Sequence, residues 1–135
     1  MILIVSKYKP VSTCGKILVV EDNEDIRDAV AESLEDAGYG VQVAANGAIA
    51  IDALQKSGDL PCLILLDLMM PVMDGTQFLQ EIRKDPRLSA LPVVVVTADG
   101  NAITKATALG THGGMRKPVQ LNELLSTVSK YCQHP

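Results

Sequence analysis

The feature that most constrains this chain is an alternation. From Lys16 onward, short strand-like runs take turns with segments whose apolar residues recur at helical spacing. The candidate strands are residues 17–20, 41–44, 62–66, 93–96 and 114–116. Short runs that are apolar almost throughout mark strands covered on both faces, and strands separated by helices pair in parallel. After the first run, Asn23 is a plausible helix N-cap and Glu24 and Asp25 suit a first helical turn. Ile26, Val30 and Leu34 then line one face, and Gly38 supplies the stop. The same reasoning predicts helices near 48–56, 75–84, 101–109 and 122–132, with Gly58, Pro86 and Gly110 as stops. Five such pairs predict an α/β fold, a five-stranded doubly wound parallel sheet in the order 2-1-3-4-5. Its ligand crevice would lie where strands one and three diverge, at their carboxyl ends.

Composition narrows the classes open to this fold. The chain has 135 residues, enough for one core and leaving no room for a second folded domain, so a single stand-alone unit is expected. Residues 1–15 read as an N-terminal extension, disordered or an extra edge strand, before a domain at 16–135. There is no Trp, and the aromatics are Tyr8, Tyr39, Phe78 and Tyr131, so the core must be aliphatic. A formal net charge of −4 provides no basic field for nucleic acid or an anionic membrane. The apolar residues 2–5 are too few for a signal-peptide core, and no stretch is long enough for a membrane span. Cys14, Cys62 and Cys132 are odd in number and widely spaced, indicating neither a disulfide framework nor a zinc site; a reducing, cytoplasmic setting is expected.

The chemistry-bearing residues stand at the ends of the runs. The first run leads straight into Glu21 and Asp22, the third into Asp67, the fourth into Thr97 and the fifth into Lys117. If strands one and three adjoin, Glu21, Asp22 and Asp67 converge. Unit charges about 4 Å apart repel by roughly 4 kcal/mol at an effective dielectric near 20, which a cation would relieve. An all-oxygen donor set that leaves room for water and phosphate suits Mg2+. Glu24 and Asp25 are explained without a metal, as partners of the helix dipole. Thr97 could hydrogen-bond a phosphoryl oxygen or be structural, and Lys117 could balance the carboxylates or stabilise a phosphoryl group in transfer. Pro71 and the Asp74-Gly75 pair supply turn chemistry after Asp67.

These residues carry a resemblance. The acidic pair after strand one, Leu66-Asp67-Leu68-Met69-Met70-Pro71-Val72-Met73-Asp74-Gly75, Val96-Thr97-Ala98 and Arg116-Lys117-Pro118-Val119 occur in the order and near-spacing of response-regulator receiver domains, over roughly residues 16–132. The resemblance implies a flavodoxin-like sheet of the CheY type with Asp67 as phosphoacceptor. It makes Asp22 a direct Mg2+ ligand, Glu21 a ligand through water and the Met69 backbone carbonyl a third ligand, with Thr97 and Lys117 contacting the phosphoryl group. It also implies a cis Lys117-Pro118 bond, a sensor histidine kinase or phosphotransfer protein as donor, and output through another protein.

The chain departs from the family at one face. Where such domains commonly carry Tyr or Phe three residues before the lysine, Gly114 stands here, next to Gly113, and the stretch from Thr97 to Lys117 is about two residues short for the family. A receiver-fold interaction module that works without phosphorylation is therefore a competing reading. A phosphohydrolase with an aspartyl nucleophile would want an acid two residues after Asp67, where Met69 stands. An FMN protein would want a hydroxyl-rich loop where Glu21 to Asp25 stand.

Overall fold

The computed structural model describes residues 16–70 and 72–132. The expected extension at 1–15, Pro71 and the last three residues lie outside them. In chain order the elements are β1 (Lys16–Val20), α1 (Glu24–Asp36), β2 (Gly40–Ala44), α2 (Gly47–Lys56), β3 (Leu63–Asp67), α3 (Gly75–Lys84), β4 (Val93–Thr97), α4 (Gly100–Ala108), β5 (Gly113–Arg116) and α5 (Leu121–Tyr131). All strand pairs are parallel, in the order β2-β1-β3-β4-β5. The predicted strand order is found, and predicted and observed ends differ by a residue or so.

Strand alternation divides the core in two. Leu18, Val20, Ile64, Leu66 and Val93 face one layer with Leu54 of α2 and Phe78, Leu79 and Ile82 of α3. Ile17, Val19, Leu63, Leu65, Val94, Val96 and Met115 face the other with Leu34 of α1 and Leu124 and Val128 of α5. Both faces of β1, β3 and β4 are buried, which is why those runs are apolar almost throughout.

The helix boundaries follow from local chemistry. Asn23 and Asn46 accept from Ile26 N–H and Ile49 N–H, each at 2.9 Å, and start α1 and α2. Asp74 and Gln77 form a reciprocal capping box at the start of α3, and Asp99 accepts from Asn101 N–H at the start of α4. Gly38 and Gly110 take positive φ just beyond α1 and α4. Gly58 does not act this way; α2 ends on an extended Ser57.

One expectation is overturned. Cys62, just before β3, and Cys132, just after α5, are joined as a disulfide with their Cα atoms 5.6 Å apart. Their 70-residue separation hid the pairing, because a parallel sheet brings strand starts and helix ends to one edge irrespective of sequence distance.

Candidate functional site

The alternation that builds the second core layer also aims the site. Val19 leads to Glu21, Leu65 to Asp67 and Met115 to Lys117, each two residues further along the same face. Three polar side chains thus arrive together at the carboxyl edge of the sheet. Glu21 and Asp67 are 4% and 3% exposed, while Asp22, next in the chain, is open to solvent. One carboxylate oxygen from each of Glu21, Asp22 and Asp67 lies within 4.8 Å of the others. Beneath them is a cavity of about 20 Å³ bounded by Val19, Leu65, Val96, Met115 and Leu124, so the carboxylates stand on an apolar floor.

Every buried oxygen in this group has a partner. Lys117 Nζ lies 2.7 Å from Glu21 Oε1 and 3.4 Å from Asp67 Oδ2. Asn23 N–H donates to Glu21 Oε2 at 3.1 Å, and Met69 N–H donates to Asp67 Oδ1 at 3.0 Å. Burial pushes the Asp67 carboxyl up to about 7, with Glu21 adding to the rise while Met69 N–H and Lys117 pull against it. Burial works against the Lys117 ammonium too, but the Glu21 and Asp67 carboxylates outweigh it and hold its pKa above the usual lysine value. The Lys117-Pro118 peptide bond is cis, as expected.

Thr97, 1% exposed, ends β4 one residue beyond Val96, the register partner of Asp67. Its hydroxyl accepts from Asp99 N–H at 3.3 Å, tying it to the residue that caps α4. Glu24 and Asp25 lie in the first turn of α1, outside the converging group. Sequence reasoning missed Arg27, whose Nη1 donates to the Glu21 carbonyl at 3.1 Å and so braces the β1–α1 turn. A basic residue one turn into a helix opened by acids was the available signal.

The loop after Asp67 is shaped by two unusual positions. A Cβ on Gly75 would lie 2.7 Å from Leu68 Cα, so only glycine lets α3 start this close to the end of β3. Val72 has φ of 69° and is 80% exposed, a left-handed backbone on a β-branched residue. Met69, also in this loop, is 74% exposed.

At β5, the space Gly114 leaves is taken. A Cβ there would lie 2.5 Å from Ile103 Cγ2, so α4 presses an isoleucine onto bare backbone on the face opposite Met115. The Gly113 position borders open space instead.

Comparison with known proteins places this arrangement. Residues 17–129 match the sequence profile of the response regulator receiver domain family. The chain is 47% identical over 115 residues to response regulator Rre1 of Synechocystis sp., covering 83% of this chain and 49% of that protein. It is 37% identical to an uncharacterized 14.6 kDa protein of Leptolyngbya boryana, covering 86% and 88%. It spans about half the length of several other curated relatives that it matches, among them the DNA-binding regulator RpaA of Synechocystis sp.. The chemotaxis protein CheY4 of Vibrio cholerae superposes with a TM-score of 0.79 at 32% identity, over 87% of this chain and 98% of that one. The receiver domain of NtrX from Brucella abortus gives 0.76 at 32%, over 86% and 97%.

Proposed function

The chain belongs to the response regulator receiver domain family, and from that premise we propose that Asp67 is its phosphoacceptor, loaded in a Mg2+-dependent step by a histidine kinase or phosphotransfer protein. Receiver domains interact with such donors and are in general non-enzymatic signalling modules. The observation that carries the reading is the setting of Asp67. It is a buried carboxylate with one oxygen oriented by Met69 N–H and the other facing Lys117, beside two more carboxylates.

The donor set fits a hard divalent cation. Of three converging carboxylates two pair with the Lys117 ammonium, every side-chain donor is oxygen, and exposed Asp22 leaves one side open to water. Asp22, Asp67 and the Met69 carbonyl would hold Mg2+ directly and Glu21 would do so through water. When bound, the ion would neutralise charge on the phosphoryl oxygens. The residues supply the rest. An Asp67 oxygen attacks the donor's phosphorus, the bond from phosphorus to the donor's leaving atom breaks, and an acyl phosphate forms. Lys117, held by Glu21, stabilises the negative charge that develops, and Thr97 turns its hydroxyl to a phosphoryl oxygen. The same groups let the domain assist its own dephosphorylation.

Among the described residues no helix is long and apolar enough to cross a membrane, and a net charge of −4 offers no basic field for nucleic acid or an anionic lipid surface; a cytoplasmic location and output through a protein partner are part of the proposal. The assay is labelling by a small phosphoryl donor. Labelling requires Mg2+ and is abolished by Asp67→Asn; labelling that survives this change overturns the assignment.

The Ile103–Gly114 contact favours a second reading, a receiver-fold interaction module whose face does not respond to phosphorylation. With α4 seated on β5 backbone, no aromatic ring is available there to turn. Equal affinity for a partner before and after verified loading of Asp67 would favour it.

A further inference from the structure

We propose that Cys62 and Cys132 form a reversible redox site, opened and closed by thiol–disulfide exchange with an external dithiol, that sets the freedom of the last turn of α5. The proposal deepens the receiver reading by adding a second input, far from Asp67.

Three observations carry it. First, the packing gives α5 an anchorage besides the bond. Leu124, Val128 and Cys132 recur every four residues along one face of α5 and its cap, at 3%, 0% and 1% exposure. Leu124 and Val128 keep the helix docked when the bond opens, and Cys132 as a thiol remains a small apolar group in the same row. Domains that need disulfides to fold are small ones with insufficient core, and this chain buries both faces of its sheet. Second, the two residues are unequally exposed. Cys132 is enclosed, whereas Cys62, just before β3, is partly exposed, which makes the Cys62 side the expected point of attack for an incoming thiolate. Third, the bond ties the end of α5 to the start of the strand whose other end is Asp67. Exchange there leaves the carboxylate group intact and alters how firmly α5 is held. In a reducing compartment, disulfides that do form are mostly transient or redox-sensing.

The step balances. A thiolate of the external dithiol attacks Cys62 Sγ, a mixed disulfide forms, and Cys132 leaves as a thiolate that takes a proton. The second thiol of the donor then attacks its own mixed-disulfide sulfur. Cys62 is released and protonated, and the donor becomes a disulfide. Two electrons and two protons pass from donor to protein, and the reverse sequence closes the bond.

The test uses the full chain carrying Cys14→Ser, so that only one pair can form. The protein is equilibrated in mixtures of reduced and oxidised dithiothreitol, and in parallel in glutathione mixtures. Free thiols are then trapped by alkylation and read by mass spectrometry. Amide hydrogen exchange is followed on the same samples. Cys62 and Cys132 are expected to titrate together, with exchange at residues 127–132 about tenfold faster in the open form and exchange in β3 unchanged. Titration by dithiothreitol but not glutathione identifies a dithiol as the required donor; titration by both admits a monothiol as well, and overturns the dithiol requirement. The proposal fails if the pair is free in the most oxidising mixture, if it stays closed in the most reducing one, or if α5 exchanges equally in both states. Cys62→Ser, at the partly exposed position, should reproduce the open form's exchange in any buffer. Mg2+-dependent labelling of Asp67, read on both forms, keeps the two claims apart. Its absence would remove the phosphoacceptor reading and leave the redox result standing.

Discussion

At the scale of single residues, the protein concentrates its electrostatic cost on Asp67. A carboxyl whose folded-state pKa lies above its unfolded value holds its proton more tightly when folded. The cost of ionising it is therefore absent below pH 4 and grows as pH rises toward and through 7. The rise from 3.8 to about 7 sets an upper bound of about 4 kcal/mol on that cost at pH 8. Asp67→Asn, measured without Mg2+ by urea unfolding, should stabilise the fold most at pH 8 and by almost nothing at pH 4. A benefit that is flat across pH would show that Asp67 is not the group paying for the buried cluster. Val72 is the second strained residue. With φ of 69° and most of its side chain in solvent, Val72→Asn should stabilise by about 1 kcal/mol, because Asn tolerates the left-handed region and little packing is lost. The urea midpoint would report it.

At the scale of elements, the joints between strands and helices decide behaviour. The α3 capping box predicts that Asp74→Ala costs about 1 kcal/mol, seen as a lowered Tm. The α4–β5 contact predicts an interaction. Gly114→Ala forces a Cβ against Ile103 and should cost about 1–3 kcal/mol, while in combination with Ile103→Ala much of that cost should vanish. A double-mutant cycle with coupling near zero would show that Ile103 does not seat on Gly114 in solution. The elements themselves were legible because β1, β3 and β4 are apolar almost throughout, and Asn23, Gly38 and Gly110 each carry a local stop or start signal; Asp74 was legible as turn chemistry and not as the helix cap it proves to be. The convergence of Glu21, Asp22 and Asp67 followed from strand order alone. The filling of Gly114 by Ile103 did not, since a glycine announces missing volume and not what takes its place. Arg27 escaped because its partner is a backbone carbonyl, and the one side-chain cue, a base one turn into a helix opened by acids, does not name that partner.

At the scale of the whole molecule, the Cys62–Cys132 bond closes a long loop, and the chain-entropy account of such loops gives about 4 kcal/mol of stabilisation. Full reduction should lower the urea midpoint correspondingly while the far-ultraviolet circular dichroism below the transition stays the same. Loss of that spectrum on reduction would mean the bond holds the fold itself. The odd, widely spaced cysteines pointed away from a disulfide because pairing across 70 residues depends on the completed sheet and leaves no local spacing to read.

Glu21, Asp67 and Lys117 come from the ends of β1, β3 and β5, and no two of them are close in the chain. A partly folded chain holding only its amino-terminal half would own Glu21 without Lys117, and one with a detached β5 would leave Asp67 without its counter-ion. On the proposed role, reactivity of Asp67 would be a proofreading property: a nascent, misfolded or clipped molecule would present no competent acceptor and draw no phosphate from the donor pool. In a denaturant titration, the labelling rate should fall in step with the folded fraction, making the phosphoryl group a census of intact molecules.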